Sequence, residues 1–124
     1  MLTETLHAYV ALLHFDFLLR RGNFAAVYDA VRGRPCRLRE YQADIIRRVC
    51  SAVDSACIWH WKQVLCLQRS AVAACLLKDN GIPAQLVIGT QHTPFRAHAW
   101  VEVDGRVVND NSYTNEIYAV LDRC

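Results

Sequence analysis

Seven consecutive residues, Ala71-Val72-Ala73-Ala74-Cys75-Leu76-Leu77, carry no charge at all. They follow Cys66-Leu67-Gln68-Arg69-Ser70 and run into Asp79-Asn80-Gly81, with Pro83 just beyond. Ala and Leu favour helix, Gly81 suits a helix end, and Pro83 prevents continuation. A helix that is apolar all round has no face to give to water, so it belongs in the middle of a domain with other elements packed about it. The rest of the chain must supply that surround.

Upstream, the pattern is helical. Leu2, Leu6, Tyr9, Leu13 and Phe17 recur at three- and four-residue steps, and Gly22 follows Arg20-Arg21 as a stop. Asn23 can cap a short second helix through Arg32, ended by Gly33 and Pro35. A third stripe, Leu38, Tyr41, Ile45, Val49 and Ala52 or Val53, implies a helix over residues 38–54. Residues 57–63, Cys-Ile-Trp-His-Trp-Lys-Gln, are aromatic without a clear period and read as a loop. Downstream the period changes to that of strands: residues 84–90, then 97–103 and 106–110 as a hairpin across Asp104-Gly105, then 117–121 after a polar loop. Helices first and an antiparallel sheet afterwards predict an α+β fold. We expect one domain, residues 1–124, with a helical cap (1–55) on a core (56–124) whose central helix begins at Cys66.

With 124 residues, 53% of them hydrophobic and 21% charged, the chain is ordinary in composition and long enough to bury a core without metal or disulfide staples. A net charge of +2 argues against general attraction to nucleic acid. Between Arg20 and Arg48 eight arginines face three acids, which reads as a solvated helix face or as a docking face for an acidic peptide. Residues 8–13 fall far short of the ~20 apolar residues a membrane span needs, and no basic region precedes the apolar start as a signal peptide requires. The six cysteines are therefore read as reduced thiols of a cytoplasmic protein.

Three residues stand out by placement. Cys66 opens the central helix, where free N–H groups and the macrodipole favour a thiolate. His98 starts a strand between two alanines, and Asp110 ends the next strand. An imidazole beside the thiolate can pair with it and then protonate a leaving amine, while a carboxylate on the other ring nitrogen fixes tautomer and orientation. Strand register tests the set. A two-residue loop at Asp104-Gly105 sets Ala99 opposite Asp110 and turns His98 and Asp110 to opposite faces. A three-residue loop with a bulge at Gly105 pairs Glu102 with Arg106 and His98 with Asp110, on one face with Cβ atoms ~5 Å apart. Asp-Gly fits both loops; we expect the bulged one.

The segments Cys66-Leu67-Gln68-Arg69-Ser70, Asn80-Gly81-Ile82-Pro83-Ala84, Ile88-Gly89 and Pro94-Phe95-Arg96-Ala97-His98-Ala99-Trp100-Val101-Glu102-Val103-Asp104-Gly105 resemble the leader-peptidase family of lasso peptide biosynthesis, within the transglutaminase-like branch of papain-fold cysteine enzymes. The resemblance covers the chain from about Cys57 onward. It implies removal of the leader from a ribosomally made precursor peptide, with Cys66 as nucleophile, His98 as base and Asp110 orienting it. A separate ATP-dependent cyclase then closes the released core. Some family members carry an N-terminal leader-recognition domain, small and winged-helix-like, with strands. Residues 2–54 read as helices, so the resemblance implies the split arrangement, in which a separate small protein holds the leader.

The remaining candidates are less constrained. The Cys66 N–H can serve as one oxyanion donor, and Gln63 or the indole of Trp59 or Trp61 as the second. Arg69 can pair with Glu102 or with an acidic partner. Pro94, Phe95 and Trp100 are candidate cleft residues. Cys57-x-x-His60 lacks the second short pair that zinc sites show, so no metal is expected. No Gly-rich phosphate loop is present, and no cofactor is expected. Two rival functions remain: another amide hydrolase or acyltransferase of the same fold, and a catalytically silent binding scaffold.

Overall fold

The structure is a computed structural model that describes residues 2–21, 24–36, 42–59, 66–92 and 94–124. Helices α1 (Leu2–Arg21), α2 (Phe24–Arg32) and α3 (Ala43–Trp59) lead into α4 (Cys66–Asp79). The strands β1 (Ala84–His92), β2 (Phe95–Val103) and β3 (Arg106–Val107), the short helix α5 (Thr114–Ile117) and β4 (Ala119–Arg123) complete the chain. All strand pairs are antiparallel, in the order β3-β2-β1-β4. The α+β expectation holds.

Helix α4 occupies the centre, as its uncharged run requires: Gln68, residues 70–75 and Leu77 are buried. It touches α1, α2 and α3 on one side and β1 and β2 on the other. Its C-terminus is a Schellman stop, with the Ile82 N–H on Leu77 O, the Gly81 N–H on Lys78 O, and Gly81 at φ 80°.

Helix α1 departs from the expected stripe. Ala8, Leu12 and Phe15 are buried in the core, whereas Leu6, Leu13 and Phe17 are exposed. The helix carries two apolar stripes, and the one with the small Ala8 faces the core. Helix α3 also differs: it runs to Trp59, where a loop was expected from Cys57. No Gly or Pro interrupts residues 54–59, and Ala56 and Cys57 add contacts to the core. At the C-terminal end the strand expected over 117–121 is a helical turn followed by β4.

The hairpin register is the main correction. Val103 pairs with Arg106 and Glu102 with Val107, so the loop is the two-residue one. Asp104 (φ 52°) and Gly105 (φ 76°) both take left-handed backbone, the turn whose twist matches a right-handed strand pair. Strand β3 then ends at Val107, well short of Asp110.

Candidate active site

Side chains alternate along β2, and the alternation divides the site. Ala99, Val101 and Val103 join the core against α4 together with Leu86 of β1. His98, Trp100 and Glu102 turn to the other face. There the His98 ring lies 6.0 Å from Trp100 and 5.2 Å from Tyr118, centroid to centroid. Trp100 is completely buried, so it is not a cleft residue as expected; it is the packing partner beneath His98. Its indole N–H donates to Glu102 at 2.9 Å, and Arg123 donates to the other oxygen of that buried carboxylate at 3.3 Å. Arg69 therefore does not pair with Glu102.

Asp110 meets His98 in spite of the two-residue loop. The His98 Nε2 to Asp110 Oδ2 distance is 2.6 Å. A carboxylate only accepts, so Nε2 carries a proton and donates to Asp110. The contact is possible because the β3 ladder stops early and Asn109 takes over. Val108 N–H still donates to Val101 O, but the Val101 N–H is met by the Asn109 side-chain oxygen at 2.8 Å. Released from the ladder, the chain turns and Asp110 swings to the face that His98 occupies. Burial pushes the Asp110 carboxyl up, but the hydrogen bonds from His98 and the Asn111 N–H, with the charges of His98 and Arg69, outweigh it and hold it below its ordinary value.

Asn109 is the site residue that sequence reasoning missed. Its amide donates to Ser70 Oγ at 3.0 Å, and Ser70 donates to Ala99 O at 3.1 Å. Arg69 donates to the Asn109 carbonyl at 2.6 Å. One residue thus ties the first turns of the Cys66 helix to the His98 strand and to the segment bearing Asp110. The available signal was only its place one residue before Asp110.

Cys66 is the exposed cysteine of the six, none of which is in a disulfide. Burial pushes the thiols of Cys57, Cys75 and Cys124 up, and that of Cys50 to about 11. Cys66 borders an open cavity of about 160 Å³ lined by Leu67, Ile88, Ala97, His98 and Ala99. Cys66 and His98 are both lining residues of this cavity, with no hydrogen bond between their side chains among the described residues. A second buried contact steadies the same helix: Gln68 donates to Asp16 of α1 at 2.9 Å.

Pro94 and Phe95 lie exposed at the β1–β2 turn and do not border this cavity. Gln63 and Trp61 lie outside the described residues, as does His60; Trp59 is exposed at the end of α3. Among the described residues no group of three His, Cys, Asp or Glu side chains could hold a metal ion. No described helix is long and apolar enough to cross a membrane. In the arginine-rich interval, Arg32, Arg34, Arg47 and Arg48 pair with Asp122, Asp79, Asp44 and Glu4, so these four do not form a bare basic face.

The family model of the transglutaminase-like superfamily matches residues 9–123. The chain belongs to the transglutaminase-like superfamily. The match runs through the helices as well as the sheet. Over 45 residues, 36% of this chain and 22% of the relative, the sequence is 47% identical to the microcin J25-processing protein McjB of Escherichia coli. The aligned part is thus a minor share of that relative's length. No solved structure matches the chain.

Proposed function

We propose that this transglutaminase-like chain is a cysteine peptidase that removes the leader from a lasso peptide precursor. The observation that carries it is the His98–Asp110 hydrogen bond beside a cavity whose wall includes Cys66, the first residue of a buried helix. Similarity over 45 residues to a microcin J25-processing protein supports the substrate class.

In this reading the Cys66 thiolate attacks the scissile carbonyl, and the Cys66 N–H at the start of α4 stabilises the oxyanion. His98, protonated by the thiol, gives its proton to the leaving amine of the core peptide. It then takes a proton from water as the thioester is hydrolysed, and Asp110 holds the ring through both steps. The reaction requires Cys66 Sγ to close on His98 Nδ1, and such contacts often tighten only in the substrate complex. Low turnover by the chain alone is therefore expected, with a large gain when a leader-binding protein presents the precursor.

Mass spectrometry of a precursor peptide incubated with the chain and a leader-binding protein tests the reading. One cleavage between leader and core is expected, and Cys66→Ala should reduce it at least about 10³-fold while the circular dichroism spectrum is unchanged. The gap between Cys66 and His98 is the one feature that favours a silent scaffold, and a Cys66→Ala chain as effective as wild type would establish it.

A further inference from the structure

The face of β2 that carries His98 also holds a carboxylate that the cleavage steps do not use. Glu102 is 2% exposed. Taking a carboxylate out of water is costly unless it is paired and hydrogen-bonded, and an apolar side chain of similar volume would pack there at least as well. A contribution to stability therefore explains Glu102 poorly. Both of its oxygens are engaged. The Trp100 indole N–H donates to one at 2.9 Å, and Arg123 of β4, itself half-exposed, donates to the other at 3.3 Å.

The indole held in this way is the surface on which His98 rests. Its plane lies 28° from that of the imidazole, with centroids 6.0 Å apart. Tyr118 adds a second ring at 5.2 Å and 32° from His98, and lies 5.9 Å from Trp100. The benzo edge of the indole occupies the space over Gly89, where a Cβ would stand 2.6 Å from Trp100 Cη2. Glu102 pins the other edge, the one with the N–H. Because Trp100 is completely buried, the indole cannot turn over without moving its neighbours. These contacts do what the Asp110 bond alone cannot. One hydrogen bond at Nε2 fixes the place of that atom and leaves the ring able to swing about the line joining it to Cβ. The rings packed on His98 set its plane, and with it the direction in which Nδ1 points.

We propose that Glu102 is a positioning residue for His98: by holding the Trp100 indole at its N–H edge, it fixes the plane of the imidazole and so aims Nδ1. Arg123 completes the device, because its guanidinium offsets the cost of burying the carboxylate. Side chains alternate along a strand, so His98, Trp100 and Glu102 follow one another on one face. A carboxylate four residues from the base thus reaches it through a single intervening ring. Aim decides rate in such a site: a reacting group misplaced by about 1 Å costs on the order of 10²-fold. The proposal rests on the peptidase reading and adds what orients its base.

The test pairs kinetics with proton NMR of the full chain. With a precursor peptide and a leader-binding protein, Glu102→Leu should lower kcat about tenfold and leave KM and the circular dichroism spectrum unchanged, because the indole keeps its packing but loses its acceptor. Glu102→Gln keeps an acceptor for the N–H and should lose no more than about threefold. In a Trp100→Phe background, whose ring has no N–H, Glu102→Leu should cost less than about twofold more, because Glu102 acts through the indole. Independently of cleavage, the His98 ring protons lie against an indole face, so Glu102→Leu should shift their signals and Glu102→Gln should shift them less. If wild type cleaves and Glu102→Leu keeps kcat, loses only in KM, or loses as much in the Trp100→Phe background, the positioning role is overturned and the peptidase reading stands. If wild type does not cleave, the peptidase reading falls and the His98 signals decide: moved in Glu102→Leu, they uphold the positioning role; unmoved, they overturn it too. Should Glu102→Leu fail to fold, Arg123→Ala takes its place, since Arg123 is joined to the rings through Glu102. A fall in kcat at constant KM, or shifted His98 signals where nothing is cleaved, then upholds the proposal, and neither change overturns it.

Discussion

The two faces of the sheet are held together by different physics. On the face toward α4, Leu86, Ala99, Val101 and Val103 are buried apolar side chains, and the contact with the Cys66 helix is mostly hydrophobic. On the opposite face, His98, Asp110, Trp100, Glu102, Arg123 and Tyr118 form a layer fixed by directed hydrogen bonds and ring contacts. Apolar packing tolerates small shifts; a hydrogen-bonded ring does not. The proposed nucleophile, Cys66, is thus carried by the adaptable face and the proposed base, His98, by the rigid one. Asn109 and Ser70 cross between them at the strand edge.

The sharpest way to break this contrast is Asp110→Asn. The amide can offer an N–H where Nε2 needs an acceptor, so the ring is held in the wrong tautomer. Precursor cleavage should fall about 10³–10⁴-fold with little change in fold. The same variant reports on acid stability. The Asp110 carboxyl is held below its ordinary value in the folded chain, so its contribution is complete above the unfolded value and is lost as pH falls toward the folded one. Urea midpoints of wild type should therefore drop on acidification below pH ~4, and those of Asp110→Asn should drop less.

Leu86→Ala tests the adaptable face. Leu86 is completely buried against α4, and the cavity left behind should cost about 2–5 kcal/mol of stability by urea titration, with His98 and Asp110 undisturbed. Gly89→Ala tests the rigid one. A Cβ there would lie 2.6 Å from Trp100 Cη2 and 3.0 Å from Tyr118 Cβ, so the ring beneath His98 must move. A loss of about 1–3 kcal/mol is expected, and, unlike Leu86→Ala, a fall in cleavage measured well below the melting temperature. Arg47→Ala should matter least. The Arg47–Asp44 pair is exposed on both sides, so stability should stay within about 0.5 kcal/mol and cleavage should be unchanged; a marked loss of cleavage would restore the arginine-rich interval as a docking face.

Helices α1 and α4 show where sequence reading succeeds and where it stops. Residues 71–77 offer no polar face, so burial on every side was the only arrangement open to α4. Helix α1 offers two apolar stripes. Hydrophobicity favours the larger Leu6, Leu13 and Phe17, but Ala8, Leu12 and Phe15 lie inside and the larger set faces outward. The hairpin shows the same limit at shorter range. Asp104-Gly105 is compatible with both loops, and the expected loop was inferred from the need to join His98 to Asp110. The structure joins them by another route, through a ladder that stops early and a side-chain amide that replaces a backbone carbonyl. Nothing in the spacing of Asn109 reports that substitution, because it depends on what lies opposite in a neighbouring strand and helix.

By itself the sequence determined the order of elements, the central place of α4, and the residue types that can make a thiol, an imidazole and a carboxylate act together. These follow from local periodicity and side-chain chemistry, which are properties of contiguous residues. Only the tertiary structure decided which stripe of α1 turns inward, which face of β2 carries His98, and how Asp110 reaches it. Those outcomes are set by competition between distant segments for the same contacts and hydrogen bonds, and that competition exists only once the chain is packed.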